Sequence, residues 1–346
     1  MNGEKNILDI SWETLFKIGV FIALMYFFYI IRDLIIWFIL ALIIAVIIEP
    51  ILKILKRAHI PRIVGAILIY TFLFVGIGLF LYLTIPFVIS EVFNFSKTAP
   101  KEIPSLLEKI SPILKPFGFE ISKNLKNILD IAQDKLVKSG GNIFNSLSSL
   151  FGGALALIFT IFVAIFLSLE EDVIEKILRI FTPRKYEDYI ANLWERSQQK
   201  VVGWFLIRII GVVFVGSLSF LLFYFSKVNY PVLLSLIGGL FDFVPIIGPT
   251  TAALIILGMG SLGGLTKGLL ALLFYGIVEL LENIIIFPVL SQRIIKISPV
   301  LVLVALFIGG KIWGILGAVL AVPLIAILYE VMKDFFKERK DHLFSS

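Results

Sequence analysis

The sequence predicts an all-α, polytopic transmembrane helix bundle whose C-terminal third is built from broken or re-entrant helices. Three observations predict it. Of the 346 residues, 59% are hydrophobic and only 16% charged, against about 45–50% and about 25% in an ordinary soluble domain. The apolar residues come in repeated runs long enough to cross a bilayer, which takes about 20 residues. Helix breakers then crowd into the stretch from Tyr230 to Val331, at Gly238-Gly239, Pro245, Gly248-Pro249, Gly263-Gly264, Pro288, Pro299, Gly309-Gly310, Gly314, Gly317 and Pro323.

Taken in order, two spans fit between Phe16 and Ile48 as a tight hairpin turning at Arg32-Asp33. No small-residue cleavage site follows the first apolar run, which therefore reads as an uncleaved span. The next loop, with Lys53, Lys56, Arg57, His59 and Arg62, is short and basic. The positive-inside rule assigns it, together with both termini, to the cytoplasmic side. A third span from Ile63 to Ile89 completes an N-terminal transmembrane region, residues 1–89. Residues 90–149 read as an extracytoplasmic helical insert. Prolines 100, 104, 112 and 116 are expected to chop its first half into short pieces. Ile121, Leu125, Ile128, Leu129, Ala132 and Leu136 fall on one face of an amphipathic helix in its second half.

Residues 150–169 form a fourth span, and residues 170–201 a cytoplasmic helical hairpin. Its second helix is expected to start at Thr182-Pro183, with a hydroxyl N-cap and proline at the first helical position. The transport region, residues 202–333, opens with a fifth span from Val202 to Phe225. After it, Tyr230–Met259 reads either as a full span or as a hairpin turning at Pro245–Pro249, and Ile297–Met332 is too long for one untilted helix. The count stays between six and eight spans. A basic tail, residues 334–346, is placed in the cytoplasm.

The net charge of +6 and the pI near 9.3 are explained by Lys and Arg flanking apolar spans, where they meet anionic lipid headgroups, without invoking nucleic acid. There is no Cys and there are two His, so disulfides, Fe–S clusters and His-rich zinc motifs are excluded. Lys311, after Gly309-Gly310, lacks the Ser or Thr that would complete a P-loop. No catalytic residue, metal site or cofactor is expected, and the chain does not read as an enzyme.

Four ionisable groups, Asp242, Glu279, Glu282 and Lys311, fall at membrane depth, where a charge costs at least about 2.5 kcal/mol at a helix centre and marks a functional candidate. Asp242 precedes a segment in which Pro245 and Pro249 remove backbone donors around Gly248, freeing carbonyls for water, a cation or a polar solute. Glu279 and Glu282 share a helical face with Asn283 beside them. Asp242, Pro245, Gly248, Pro249, Glu279, Glu282 and Asn283 are the candidate path. Two plainer readings stand beside it: a structural kink at Pro245–Pro249, and pairing of Glu279 and Glu282 with Arg293 or Lys296 at an interface. Arg208 and Lys267 are expected to snorkel to headgroups. Pro288, Pro299, Gly310, Gly314, Gly317 and Pro323 are assigned to hinges or close helix packing.

Phe241-Asp242-Phe243-Val244-Pro245-Ile246-Ile247-Gly248-Pro249, Glu282-Asn283 with Pro288, Pro299, and Gly309-Gly310 through Gly314 and Gly317 to Ala321-Val322-Pro323 together resemble the AI-2E family of transporters, the autoinducer-2 exporter family. The order of features matches it over about residues 12–340. The resemblance implies an inner-membrane permease that is homo-oligomeric, pentameric in some relatives, with an elevator-like movement of the broken helices. Some relatives look like sodium- or lithium-proton antiporters. Ser298 stands where family members often have His, and Phe287 where many have an acidic residue, which puts the identity of the solute in doubt. The leading expectation is export of a small polar solute such as an autoinducer-2-like molecule. The alternatives are a sodium or lithium/proton antiporter and a non-transporting membrane scaffold.

Overall fold

The computed structural model describes residues 12–114, 154–286, 288–289 and 298–344. Among them the structure is helical, with short turns and no strand. The predicted amphipathic helix over 121–136, and Arg293 and Lys296, lie outside the described residues.

Helix α1 runs unbroken from Trp12 to Arg57, so no hairpin turns at Arg32-Asp33. Neither residue breaks a helix, and the pair satisfies itself along the surface. The Arg32 guanidinium lies 4.5 Å from the Tyr29 ring centre and its Nε 3.7 Å from the Asp33 carboxylate. A continuous α1 of 46 residues spans about 69 Å at 1.5 Å per residue. It carries Trp12 to the end of the bundle opposite Arg57, not back to the same side.

Helix α2 runs from Arg62 to Leu114 through Pro86, Pro100, Pro104 and Pro112, where short pieces were expected. Each proline removes one backbone donor and disturbs one turn, but the far half of α2 has something to pack on. Ala99 and Leu106 are buried in a core shared with Val228, Tyr230 and Leu262, with Phe95 and Ile103 beside them. That burial holds the helix through its prolines.

Helix α3 covers Ala154–Leu169 and α4 covers Val173–Phe181. Thr182 does not start the next helix. It ends α4, its hydroxyl donating to the Leu178 carbonyl. A 3-10 turn, Arg184–Tyr186, then leads into α5, Glu187–Phe225. The basic loop ties these pieces together at one end of the bundle. Arg62 donates to both Glu49 carboxylate oxygens at 3.1 and 2.6 Å, and to the Ser168 and Glu170 carbonyls at 2.8 and 2.9 Å. The two carbonyls lie at the C-terminal end of α3, where a helix leaves its acceptors unpaired. Lys56 pairs with Glu171, and its hydrogen bond holds that carboxyl below the usual range.

Helices α6 (Pro231–Asp242) and α7 (Ile247–Gly260) pack on each other as an antiparallel hairpin turning at Phe243–Ile246. Of the two readings of Tyr230–Met259, the hairpin is the one observed. A second 3-10 turn, Ser261–Gly263, leads to α8, Leu265–Leu281, which widens into a π turn over Glu282–Ile286.

Helix α9, Pro299–Phe344, is interrupted at Trp313 and Gly314, and Gly314 adopts φ +64, a left-handed conformation that glycine takes without a Cβ penalty. A methyl group on Gly309 or Gly317 would overlap the other's carbonyl oxygen. Along a straight helix those residues would stand about 12 Å apart, so α9 reverses at Gly314 into a second hairpin. This disposes of the excess length of Ile297–Met332.

Helix α5 is the spine, packing against α1, α4, α6, α8 and α9. Glu330 on the second arm of α9 is buried against Arg196 and Lys200 near the start of α5, which puts that arm's far end at the basic end of the bundle. The first hairpin therefore enters from one end and the second from the other. Their turns share a core: Phe243, Val244 and Trp313 pack on a cluster containing Trp204, Phe205, Leu306 and Leu320. Five helices are long and apolar enough to cross a membrane among the described residues, and they carry exposed Phe21, Phe72, Tyr82, Phe87 and Phe307. Side chains of that kind belong in lipid.

Candidate functional site

Three helices converge where the first hairpin turns. Asp242 is the last residue of α6 and 1% exposed. Glu279 lies near the end of α8, and Glu282 opens the π turn and is 3% exposed. One carboxylate oxygen from each lies within 4.8 Å of the others. Two features of α5 make room for them. Gly211 has no side chain, and a Cβ there would stand 2.8 Å from Asp242 Oδ2 and 2.8 Å from Glu282 Oε1. One turn earlier, Arg208 donates from Nη1 to the Asp242 carbonyl at 3.2 Å and lies 3.7 Å from its carboxylate.

The backbone around Asp242 is shaped for this. Val244 donates to the Phe241 carbonyl and Gly248 to the Val244 carbonyl, so the chain turns within four residues. Gly248 sits so close to the end of α6 that a Cβ would run into the Phe241 carbonyl. Pro249, third in α7, gives up a donor that the first turn of a helix leaves unpaired anyway. Ile246 is held at φ 68, ψ −58, an outlier for a β-branched residue of the kind that clusters at functional sites. The π turn at Glu282 is a second such local departure.

Of the predicted path residues, Asp242, Glu279 and Glu282 come together, and Pro245, Gly248 and Pro249 build the turn beside them. Asn283 does not face the carboxylates. It is exposed, and its side chain bonds back to the Glu279 carbonyl at 2.8 Å. Lys311 is exposed on the first arm of α9, and Lys267 bonds Asn229 at 3.3 Å. Arg208 does not snorkel: its side chain is 8% exposed. Among the hinge and packing residues, Pro299 starts α9 and Gly314 turns it. Gly310 lies against Ala318, Gly317 crosses Gly309, and Pro323 is fully buried in the second arm. Pro288 falls in a two-residue helical piece.

Sequence reasoning passed over Gly211 and Tyr275. Tyr275 is 1% exposed and precedes Glu279 by one turn, with its hydroxyl beside that carboxylate. The signal was the i, i+4, i+7 spacing of Tyr275, Glu279 and Glu282, a single polar stripe on α8.

A family model described as AI-2E family transporter matches residues 18–337. The chain belongs to the AI-2E transporter family. The family match takes in the first hairpin, the carboxylate cluster and the second hairpin as far as residue 337. This AI-2E protein is 24% identical over 334 residues to YrrI of Bacillus subtilis (strain 168), covering 91% of this chain and 90% of that one. It is 23% identical over 335 residues to the AI-2 transport protein TqsA of Escherichia coli (strain K12), covering 95% and 91%. It is 24% identical over 299 residues to YueF of Bacillus subtilis (strain 168), covering 83% and 79%.

Proposed function

We propose that this AI-2E protein is an inner-membrane secondary transporter that exports a small polar solute of the autoinducer-2 kind, with the Asp242–Glu279–Glu282 cluster as its coupling site. One observation carries the proposal: among the described residues, three clustered carboxylates, with Arg208 beside Asp242, gather at the turn of the first hairpin. Ionised together, these four groups leave two negative charges unbalanced among the described residues, which a low-dielectric site does not tolerate. Protons or cations must make up the difference, and any movement that changes access to the site then moves them too. The naming of the relative TqsA as an AI-2 transport protein supports the choice of solute class.

A sodium or lithium/proton antiporter is the second reading. It is favoured by the same cluster, because Asp242 Oδ2 and Glu282 Oε1, which accept no hydrogen bond among the described residues, can serve protons and metal cations in turn. A scaffold without transport is disfavoured, since it gives three buried acids no role that offsets their desolvation. The basic end, with Lys56, Arg57, Arg62 and Lys333, is proposed to face the cytoplasm, and the working form is proposed to be a homo-oligomer.

The test is flux of labelled autoinducer-2 and of sodium in proteoliposomes. Asp242→Asn and Glu282→Gln should each lower flux by about tenfold or more, the size expected from losing a charge-assisted interaction of roughly 1.5–3 kcal/mol. Size-exclusion profiles should stay unchanged. Wild-type flux of both species from both variants would remove the cluster from the mechanism.

A further inference from the structure

We propose that Asp242, Glu279 and Glu282 close over Gly211 as a seat for one partly dehydrated monovalent metal cation of sodium's size, an assignment that rests on the coupling role above and names its ion. Asp242 Oδ2 and Glu282 Oε1 are buried and accept no hydrogen bond among the described residues. A buried carboxylate oxygen left without a donor is costly. Both oxygens are aimed at one place, because a Cβ on Gly211 would lie 2.8 Å from each. The neighbouring helix turn thus lacks a side chain at the one point where two orphaned acceptors converge. The buried Tyr275 hydroxyl, beside Glu279, offers a neutral oxygen from the same helix.

Size and charge narrow the ligand. The three oxygens span at most 4.8 Å, so an ion midway between two opposed ones meets each at about 2.4 Å, inside the range of about 2.3–2.6 Å that calcium-sized ions make with oxygen. Sodium shares that radius at half the charge. The cost of stripping water from an ion grows with the square of its charge. A divalent ion also needs six or more oxygens or keeps its own waters. Here Asp242 and Glu282 are buried, and the Arg208 guanidinium already stands beside Asp242. The site suits a single positive charge.

Thermal unfolding of the purified full-length protein in detergent, at fixed ionic strength in sodium, lithium, potassium or choline chloride, reads the site without transport. Sodium should raise the wild-type midpoint in a saturable way, and potassium and choline should not. Gly211→Ala should abolish the sodium response. Glu282→Gln, which adds no volume, should weaken the apparent sodium affinity by about tenfold or more. Gly258→Ala, where an added methyl meets nothing within 4 Å, should keep the response. A sodium response that survives both Gly211→Ala and Glu282→Gln would overturn the assignment, as would one produced by calcium or manganese instead. Solute flux that needs Asp242 yet is unchanged when choline replaces sodium would overturn this inference and leave the coupling reading standing. Flux indifferent to Asp242 and Glu282 would sink the coupling reading itself.

Discussion

Arg208 shows how one side chain changes role when its surroundings are known. In the sequence it stands early in an apolar run, where a long cationic side chain ordinarily reaches for headgroups. In the structure the same residue is buried against Asp242, on a helix face that Gly211 opens one turn later. Removing one partner of a buried pair leaves an uncompensated charge, so Arg208→Ala should destabilise the protein by roughly 3–5 kcal/mol. Arg208→Gln combined with Asp242→Asn should recover part of that loss. Denaturation followed by tryptophan fluorescence checks this, and an unchanged midpoint for Arg208→Ala would contradict the pairing. Asp242, Glu279 and Glu282 were legible in the sequence because acids are rare at membrane depth and two of them share a helical face. Gly211 was not legible, since its importance lies in what two other helices place in front of it.

At the scale of elements, the apolar runs located most of the helices, and the density of Gly and Pro correctly marked the C-terminal third as broken. The failures have a common cause. Arg32-Asp33 looked like a turn, yet it holds neither Gly nor Pro and pairs with its own neighbours, so the hydrogen-bond ladder of α1 continues. Pro100, Pro104 and Pro112 looked like helix ends, yet tertiary packing through Ala99 and Leu106 keeps α2 intact. Conversely, the reversal of α9 hangs on one left-handed glycine and on Gly309 meeting Gly317, a contact that spacing alone does not reveal. Gly317→Val should therefore cost at least about 1–3 kcal/mol, the usual penalty for overpacking, because the atom it strikes is backbone. Gly76→Val, in open space on α2, should cost far less. Comparing the two unfolding midpoints decides the point, and equal midpoints would argue against a hairpin at Gly314.

At the scale of the whole molecule, the described residues place two hairpins, inserted from opposite ends, around the spine α5, with the acidic cluster beside the turn of the first. Discontinuous helices that meet at mid-depth are a recurring way to build a transport site in a bilayer. Because the chain has no cysteine, single cysteines can report sidedness without background. With the basic end in the cytoplasm, Lys333→Cys should resist a membrane-impermeant maleimide in intact cells, and Asn229→Cys should react. Thr14→Cys should react as well, since a continuous α1 puts it opposite Arg57. Labelling of Lys333→Cys from outside would invert the proposed orientation. The central claim, that the cluster couples the movement of charge to transport, is tested most directly by a pH dye inside proteoliposomes during an imposed sodium or solute gradient. The account predicts a pH change in wild type that is lost in Glu282→Gln, and an identical trace from the two proteins would contradict it.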